Sequence, residues 1–316
     1  MTQPEPSLLL LIPAYNEEQR IEPTLRAYAE FFRANYRGRF QLVVVLNGCR
    51  DGTLGVVNGV ARDHPEISAL NFPDPIGKGG ALIEGLKLAP NADLIGYVDA
   101  DGATGPQAFL ELSRLTAQAE CVIGSRWLPG AVLHQSQPWA RRFFSRVFHG
   151  IVQSLFWMNI QDTQCPAKVM RRAAIERIHS ALRIADLAFD VNLLYALKRE
   201  GFRVLEAPTE WTDKAGSKVT QSLFRNSLVM FLSVMRLRMI YTPFYRWLRP
   251  LRPIETWIYH KLHAPPPRLG PRSGPDESPN GDSNSKASGS ESPGAPKGRP
   301  ECKDSDSPSK DSSSRS

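Results

Sequence analysis

Asp99 and Asp101 close the apolar run Leu94 to Val98, inside the segment Tyr97-Val-Asp-Ala-Asp-Gly-Ala-Thr104. If that run is a buried strand, side chains two apart leave it in the same direction. Two carboxylates held side by side repel each other unless a divalent cation lies between them. A hard, oxygen-ligated Mg2+ or Mn2+ takes further oxygens from a diphosphate. A metal-bound nucleotide diphosphate is therefore the first candidate ligand, with Asp99 and Asp101 as the metal ligands. Asp-x-Asp-Gly after a strand is also ordinary turn chemistry, so the choice rests on what surrounds it.

The surrounding pattern is that of an α/β protein. Apolar runs predict strands at Leu8 to Ile12, Phe40 to Leu46, Ile67 to Phe72, Asp93 to Val98 and Glu120 to Gly124. Between them lie helical patterns: one opening at Asn16-Glu-Glu and carrying Ile21, Leu25, Tyr28, Phe31 and Phe32, one starting at Asp51-Gly52-Thr53, and others over Lys78 to Leu88 and Pro106 to Ala119. Beyond Arg126 the chain reads as a helical stretch from Trp139 to Met158, an irregular Gln161 to Lys168, a helix from Asp186 through Leu197 and a strand near Phe202 to Glu206. Strands alternating with helices across short loops predict a mostly parallel sheet with helices on both faces.

In such sheets ligands collect beyond the carboxyl ends of the strands. Those ends carry Pro13-Ala-Tyr-Asn-Glu17, Leu46-Asn-Gly-Cys-Arg-Asp51, Asp74-Pro-Ile-Gly-Lys-Gly-Gly80, Asp99-Ala-Asp101 and Gly124-Ser-Arg126. Gly77-Lys78-Gly79-Gly80 lacks the Gly-x-x-x-x-Gly-Lys-Ser/Thr spacing of a phosphate loop. Lys78 still stands at a helix start, where the first-turn amides favour an anion; its ordinary alternative is a solvent-facing lysine. Arg126, Arg141, Arg142 and Lys168 fall in the part of the chain that should cover the same edge, enough positive charge for more than one phosphate.

Charge is unevenly spread. The chain has 316 residues and a formal net charge of +7. From Ala264 to Ser316 eight basic residues balance eight acidic ones, and Leu269 is the one large apolar side chain, which predicts a disordered tail over 264–316. Arg225 to Lys261 holds seven basic residues against Glu255 alone, +6 of the total, interleaved with Phe231, Tyr241, Phe244, Tyr245, Trp247, Trp257 and Tyr259. Arginines among aromatics suit an element lying on an anionic bilayer, so residues 221–263 are expected to form an amphipathic membrane-interface segment, with 222–262 touching the surface. No nucleic-acid-binding motif accompanies the charge. A solvated helix face is the plain alternative.

No run reaches the roughly 18 uncharged apolar residues of a spanning helix, and Met1-Thr-Gln-Pro-Glu-Pro lacks a signal peptide's basic start and apolar stretch. The expectation is a cytoplasmic protein, peripheral on the cytosolic face of a membrane. Cys49, Cys121, Cys165 and Cys302 include no Cys-x-x-Cys pair, so neither a zinc site nor a disulfide framework is indicated.

Read together, Ile12-Pro-Ala-Tyr-Asn-Glu-Glu18, Val43-Val-Val-Leu-Asn-Gly-Cys-Arg-Asp-Gly-Thr53, Gly77-Lys-Gly-Gly80, Val98-Asp-Ala-Asp-Gly-Ala-Thr104, Gly124-Ser-Arg126, Asp162-Thr-Gln-Cys165 with Lys168, and Ala188-Phe-Asp-Val191 resemble the inverting family 2 glycosyltransferases. Within them the chain looks most similar to the dolichyl-phosphate glucosyltransferase and polyprenyl-phosphate mannosyltransferase branch, over roughly residues 8–220. The resemblance implies a GT-A nucleotide-diphospho-sugar transferase domain over residues 1–220. It also implies transfer of a hexose, glucose favoured, from a nucleotide diphosphate sugar to a polyprenyl phosphate lipid with Mg2+ or Mn2+.

By the same resemblance Pro13, Tyr15, Glu17, Asn47, Lys78 and Asp99 would bind the nucleotide sugar, with Asp101 favoured as the direct metal ligand. Arg126, Arg141 and Lys168 would meet the acceptor phosphate, and Asp190 would lie near the reacting atoms. A lipid phosphate is already ionised near neutral pH, so the site must supply positive charge rather than a strong base. Two departures stand out: Leu46-Asn47-Gly48-Cys49 occupies the place of the family's usual Asp-Asp-Gly-Ser, and Pro166-Ala167 that of Gly-Phe. A GDP-mannose donor, a soluble phosphorylated acceptor and a non-catalytic nucleotide-sugar-binding protein stay open as alternatives.

Overall fold

A computed structural model of the chain describes residues 5–134, 139–212 and 223–242, without the side chains of 139–144 and 223–227. The expected tail, the 220/221 and 263/264 boundaries, residues 243–262 and the Arg141 and Arg142 side chains lie outside the described residues. In chain order the elements are β1 (Leu8–Ala14), α1 (Ile21–Asn35), β2 (Phe40–Asn47), α2 (Thr53–Asp63), β3 (Ile67–Phe72), α3 (Lys78–Leu86), β4 (Leu94–Tyr97), α4 (Pro106–Leu115) and β5 (Cys121–Ser125). They continue as β6 (Val132–Leu133), α5 (Trp139–Phe156), β7 (Lys168–Arg171), α6 (Arg172–Ile178), α7 (Phe189–Arg199), β8 (Val204–Pro208), β9 (Glu210–Trp211) and α8 (Leu223–Ile240).

Seven strands form the main sheet in the order β3-β2-β1-β4-β7-β5-β8, parallel except for β7, and β6 pairs with β9 apart from it. The central strands are continuous apolar runs because both faces are covered. Leu9, Leu11, Val43 and Val45 point into a core shared with α3, α5, α6, α7 and α8. Leu8, Leu10, Ile12, Leu42 and Val44 point the other way, onto α1, α2 and α4. Helix α1 buries Ile21, Leu25, Tyr28 and Phe32, a stripe at helical spacing.

The structure differs from the sequence expectations at three places. Asp99 and Asp101 stand beyond the last residue of β4, on a turn rather than on the strand. Lys168, expected in an irregular stretch, begins the antiparallel strand β7 between β4 and β5. Helix α7 starts at Phe189 instead of Asp186, because the Asp186 carboxylate accepts the Ala188 N–H at 2.7 Å and makes a turn of the segment before it.

Helix α8 is likewise more than a surface element. Val234 and Leu237 are fully buried in the core beneath α5 and α7, while Leu228, Phe231, Leu232 and Met239 are exposed. Among the described residues no helix is long and apolar enough to cross a membrane, and Cys49, Cys121 and Cys165 are free thiols.

Candidate active site

The expected strand-end residues gather at the carboxyl edge of β1, β2, β4 and β5. Pro13 sits half-buried as the penultimate residue of β1, and Tyr15 just beyond the strand is 40% exposed. Glu17 faces the same edge but is occupied: both its oxygens receive the Arg20 guanidinium, each at 2.8 Å. Asn47 is buried, and its Oδ1 accepts the Ile76 N–H at 2.7 Å, tying the end of β2 to the loop before α3. Leu46 is fully buried in the core, so its apolar side chain is where its chemistry wants it.

That loop delivers Lys78. Its Nζ lies 2.5 Å from Asp99 Oδ1, with both side chains about 30% exposed (29% and 30%). Burial works against the charged ammonium, but Asp99, Asp190 and Asp101 outweigh it and raise the Lys78 amine above its ordinary value. Gly77 reaches this point only as a glycine. Its φ is +80°, and a Cβ there would stand 2.2 Å from the Ala185 carbonyl oxygen. Gly77→Ala is expected to lower the melting temperature and to weaken nucleotide binding together, at a cost of about 1–3 kcal/mol for the strained backbone. Thermal denaturation with and without nucleotide checks this, and unchanged values in both would show that the loop does not need this approach.

Asp101 accepts the Ala103 N–H at 3.0 Å. Burial first, and then the charge of Asp99, raise its pKa above the ordinary carboxylate range, although Arg20 and Lys78 pull against them. Two carboxylates repelling each other at a half-open edge are a donor set suited to a divalent cation. Among the described residues no group of three or more His, Cys, Asp and Glu converges. A cation held by Asp99 and Asp101 would take the rest of its oxygens from water or a bound ligand.

Two of the expected phosphate contacts are engaged elsewhere. Arg126 makes a two-pronged pair with Asp162, Nε to Oδ2 at 2.8 Å and Nη2 to Oδ1 at 2.9 Å, and lies 5.0 Å from the centre of the Trp211 ring. Burial alone would raise the Asp162 carboxyl, but the Arg126 contact overrides it and holds the group below its usual range. Lys168, expected at the acceptor phosphate, is fully buried and turned onto protein groups. Its Nζ donates to the Cys165 carbonyl and to Asp190 Oδ1, the latter at 2.5 Å. The same Asp190 oxygen accepts the Tyr97 hydroxyl at 2.5 Å. Burial and the Asp190 charge keep that phenol well above its ordinary pKa. Asp190 thus lies under the sheet edge, 5% exposed, closing an internal charge pair.

Arg20, Asp162, Tyr97 and Trp211 had no role assigned from the sequence, although Tyr97 and Asp162 lie in the segments quoted above. Arg20 had a signal, since it follows Glu17 by three residues and helix-start spacing brings such pairs together. Tyr97 had none, because its link to Lys168 exists through the antiparallel register that sets the two residues opposite each other.

A mostly parallel sheet of this order with helices on both faces is the GT-A fold. The chain belongs to glycosyl transferase family 2, whose family model matches residues 10–179. It is 36% identical over 221 residues to the dolichyl-phosphate beta-glucosyltransferase ALG5C of Trichomonas vaginalis, a match covering 66% of this chain and 65% of that protein. It is 31% identical over 230 residues to the glycosyltransferase AglD of Haloferax volcanii, where the match spans 72% of this chain but 36% of the relative. Among solved structures, glucosyl-3-phosphoglycerate synthase from Mycobacterium tuberculosis, crystallised with Mn2+, UDP and phosphoglyceric acid, superposes with a TM-score of 0.56 at 14% identity, over 74% of this chain and 78% of that one. At that identity the likeness is one of fold.

Proposed function

We propose that this protein is a metal-dependent, inverting hexosyltransferase that moves a sugar, glucose favoured, from a nucleotide diphosphate to a polyprenyl or dolichyl phosphate. The observation that carries the reading is the Asp99 and Asp101 pair at the carboxyl edge of β4, faced at 2.5 Å by the Lys78 ammonium at the start of α3. That arrangement offers two anionic oxygens and one cation at one point, which suits a cation-bound diphosphate. The name of the Trichomonas relative supports the acceptor class.

In this reading Tyr15 and Pro13 border the nucleoside, and Lys78 exchanges its contact with Asp99 for a diphosphate oxygen. Bound Mg2+ or Mn2+ would offset the charge that builds on the leaving diphosphate. Asp99 and Asp101 hold that cation. Arg126, fixed by Asp162 and Trp211, keeps a rigid, neutralised floor rather than a free charge, so Arg141 is left as the proposed acceptor-phosphate contact. No side chain needs to act as a strong base, because the attacking phosphate oxygen is already ionised.

A membrane surface is the partner that fits the exposed apolar groups. Leu228, Phe231 and Leu232 share one side of α8, and α5 adds Val147 and, just past its end, Trp157, 80% exposed. The test is transfer of labelled sugar from UDP- and GDP-sugars into organic-extractable polyprenyl phosphate, with vesicle flotation of the same preparation. Lipid-phase label from one donor and flotation with anionic vesicles are expected. Donor hydrolysis without lipid product, in a protein that does not float, would overturn the lipid acceptor.

A further inference from the structure

Helix α8 reaches the candidate diphosphate site through a continuous set of polar contacts. The Ser233 hydroxyl, buried on the inner side of α8, donates to Asp186 Oδ2. The other oxygen of Asp186 accepts the Ala188 N–H at the start of α7. The residues just before Asp186 are held by Asn192 of α7, whose Oδ1 accepts the N–H groups of Arg183 and Ile184 at 2.7 and 3.1 Å. The Asn192 amide in turn donates to the Tyr241 hydroxyl, just past the end of α8, at 3.4 Å. Residues 183–186 are therefore positioned by α7 and α8 together.

On its other side this segment lies backbone against backbone on the lysine loop. The Ala185 carbonyl accepts the Gly80 N–H at 3.0 Å. A Cβ on Gly77 would stand 2.2 Å from the Ala185 oxygen, and one on Gly79 would stand 2.6 Å from the Ile184 oxygen. The nearest approaches at Gly77 and Gly79 are to backbone oxygens, with Phe189 Cβ close beside Gly79, so a displacement of 184–186 passes to Gly77–Gly80 and to Lys78 between them.

We propose that Ser233 is a positioning residue for the nucleotide-diphosphate site. Through Asp186 it sets the backbone at Ile184 and Ala185, which sets the place of Lys78 opposite Asp99. The helix that carries it also presents Leu228, Phe231 and Leu232 outward, so one rigid element bears both the exposed apolar face and the inner contact. The inference rests on the diphosphate reading of the Lys78 and Asp99 pair. It predicts that removing a hydroxyl well inside the protein, with no contact to ligand, weakens nucleotide binding.

The experiment is calorimetric binding of UDP and of GDP, each with Mn2+, to the full chain and its variants. Ser233→Ala is expected to raise the dissociation constant roughly tenfold, the scale of one lost hydrogen bond to a charged group. Ser233→Cys, which keeps the volume and donates more weakly, should give a smaller shift and serves if the alanine variant does not fold. Asp186→Asn preserves both hydrogen bonds, its amide donating to the Ser233 oxygen, and should bind like the parent. Val234→Ala removes a fully buried side chain from the same helix. It should lower the melting temperature without changing the dissociation constant, which separates positioning from general loss of stability. A parent chain that binds neither nucleotide would remove the diphosphate site and this proposal with it. A parent that binds, with Ser233→Ala within twofold of it or matched by Val234→Ala, would overturn the Ser233 assignment alone.

Discussion

Asp101→Asn is expected to lower the proposed sugar transfer by on the order of a thousandfold while leaving the protein at least as stable as its parent. The two halves of this expectation have one cause. Burial and the neighbouring Asp99 raise the Asp101 pKa, so its ionised form is unfavourable in the folded chain without a counter-charge. Asparagine keeps an oxygen to accept the Ala103 N–H at 3.0 Å and removes the repulsion. In the proposed function it also removes the charge that would hold a cation against the diphosphate. Label recovered in the lipid phase, measured beside a thermal melt, checks both halves. Transfer within tenfold of the parent would sink the metal role, and a large drop in melting temperature would show that Asp101 serves the fold instead.

Lys168→Met is expected to destabilise the fold by about 3–5 kcal/mol, because it strands a buried charge. The Lys168 side chain is 0% exposed and that of Asp190 is 7% exposed, and Asp190 Oδ1 depends on the Lys168 ammonium and the Tyr97 hydroxyl. Adding Asp190→Asn to Lys168→Met should recover much of the loss, since the remaining group is then neutral and still hydrogen-bonded to Tyr97. Denaturant unfolding of the two single variants and the double variant measures the coupling directly. A direct role for Lys168 in acceptor binding predicts the opposite pattern: a raised acceptor KM with an unchanged unfolding midpoint.

These two residues mark how far the chain could be read unaided. The place of Asp101 at the sheet edge was legible because strand ends and paired acids are local in sequence. The place of Lys78 was legible for the same reason, at a glycine-bounded helix start. Lys168 was visible as a charge but not in its role, since Lys-Val-Met-Arg carries no strand pattern long enough to announce a four-residue antiparallel insertion. Arg126 was placed at the right edge, yet its pairing with Asp162 spans 36 residues, and spacing alone does not distinguish a free guanidinium from an engaged one.

Helix α8 shows the same division. Its basic and aromatic composition suggested an outer surface, and Leu228, Phe231 and Leu232 are exposed. Its burial of Ser233, Val234 and Leu237 against α5 and α7 was not readable, because nothing local says which side of a helix meets a core assembled from other parts of the chain.

By itself the sequence determined the alternation of strands and helices, the two-faced burial of the central strands and the collection of polar loops at one sheet edge. Those follow from apolar periodicity and turn chemistry, which act between near neighbours. Only the tertiary structure decided which of the charges at that edge remain open to a ligand. Asp99, Asp101 and Lys78 stay partly exposed, with Lys78 paired to Asp99 at the edge, whereas Arg126 and Lys168 are paired with Asp162 and Asp190 further inside. A charge taken out of water must find its counter-ion in the folded chain, and that partner is set by long-range packing.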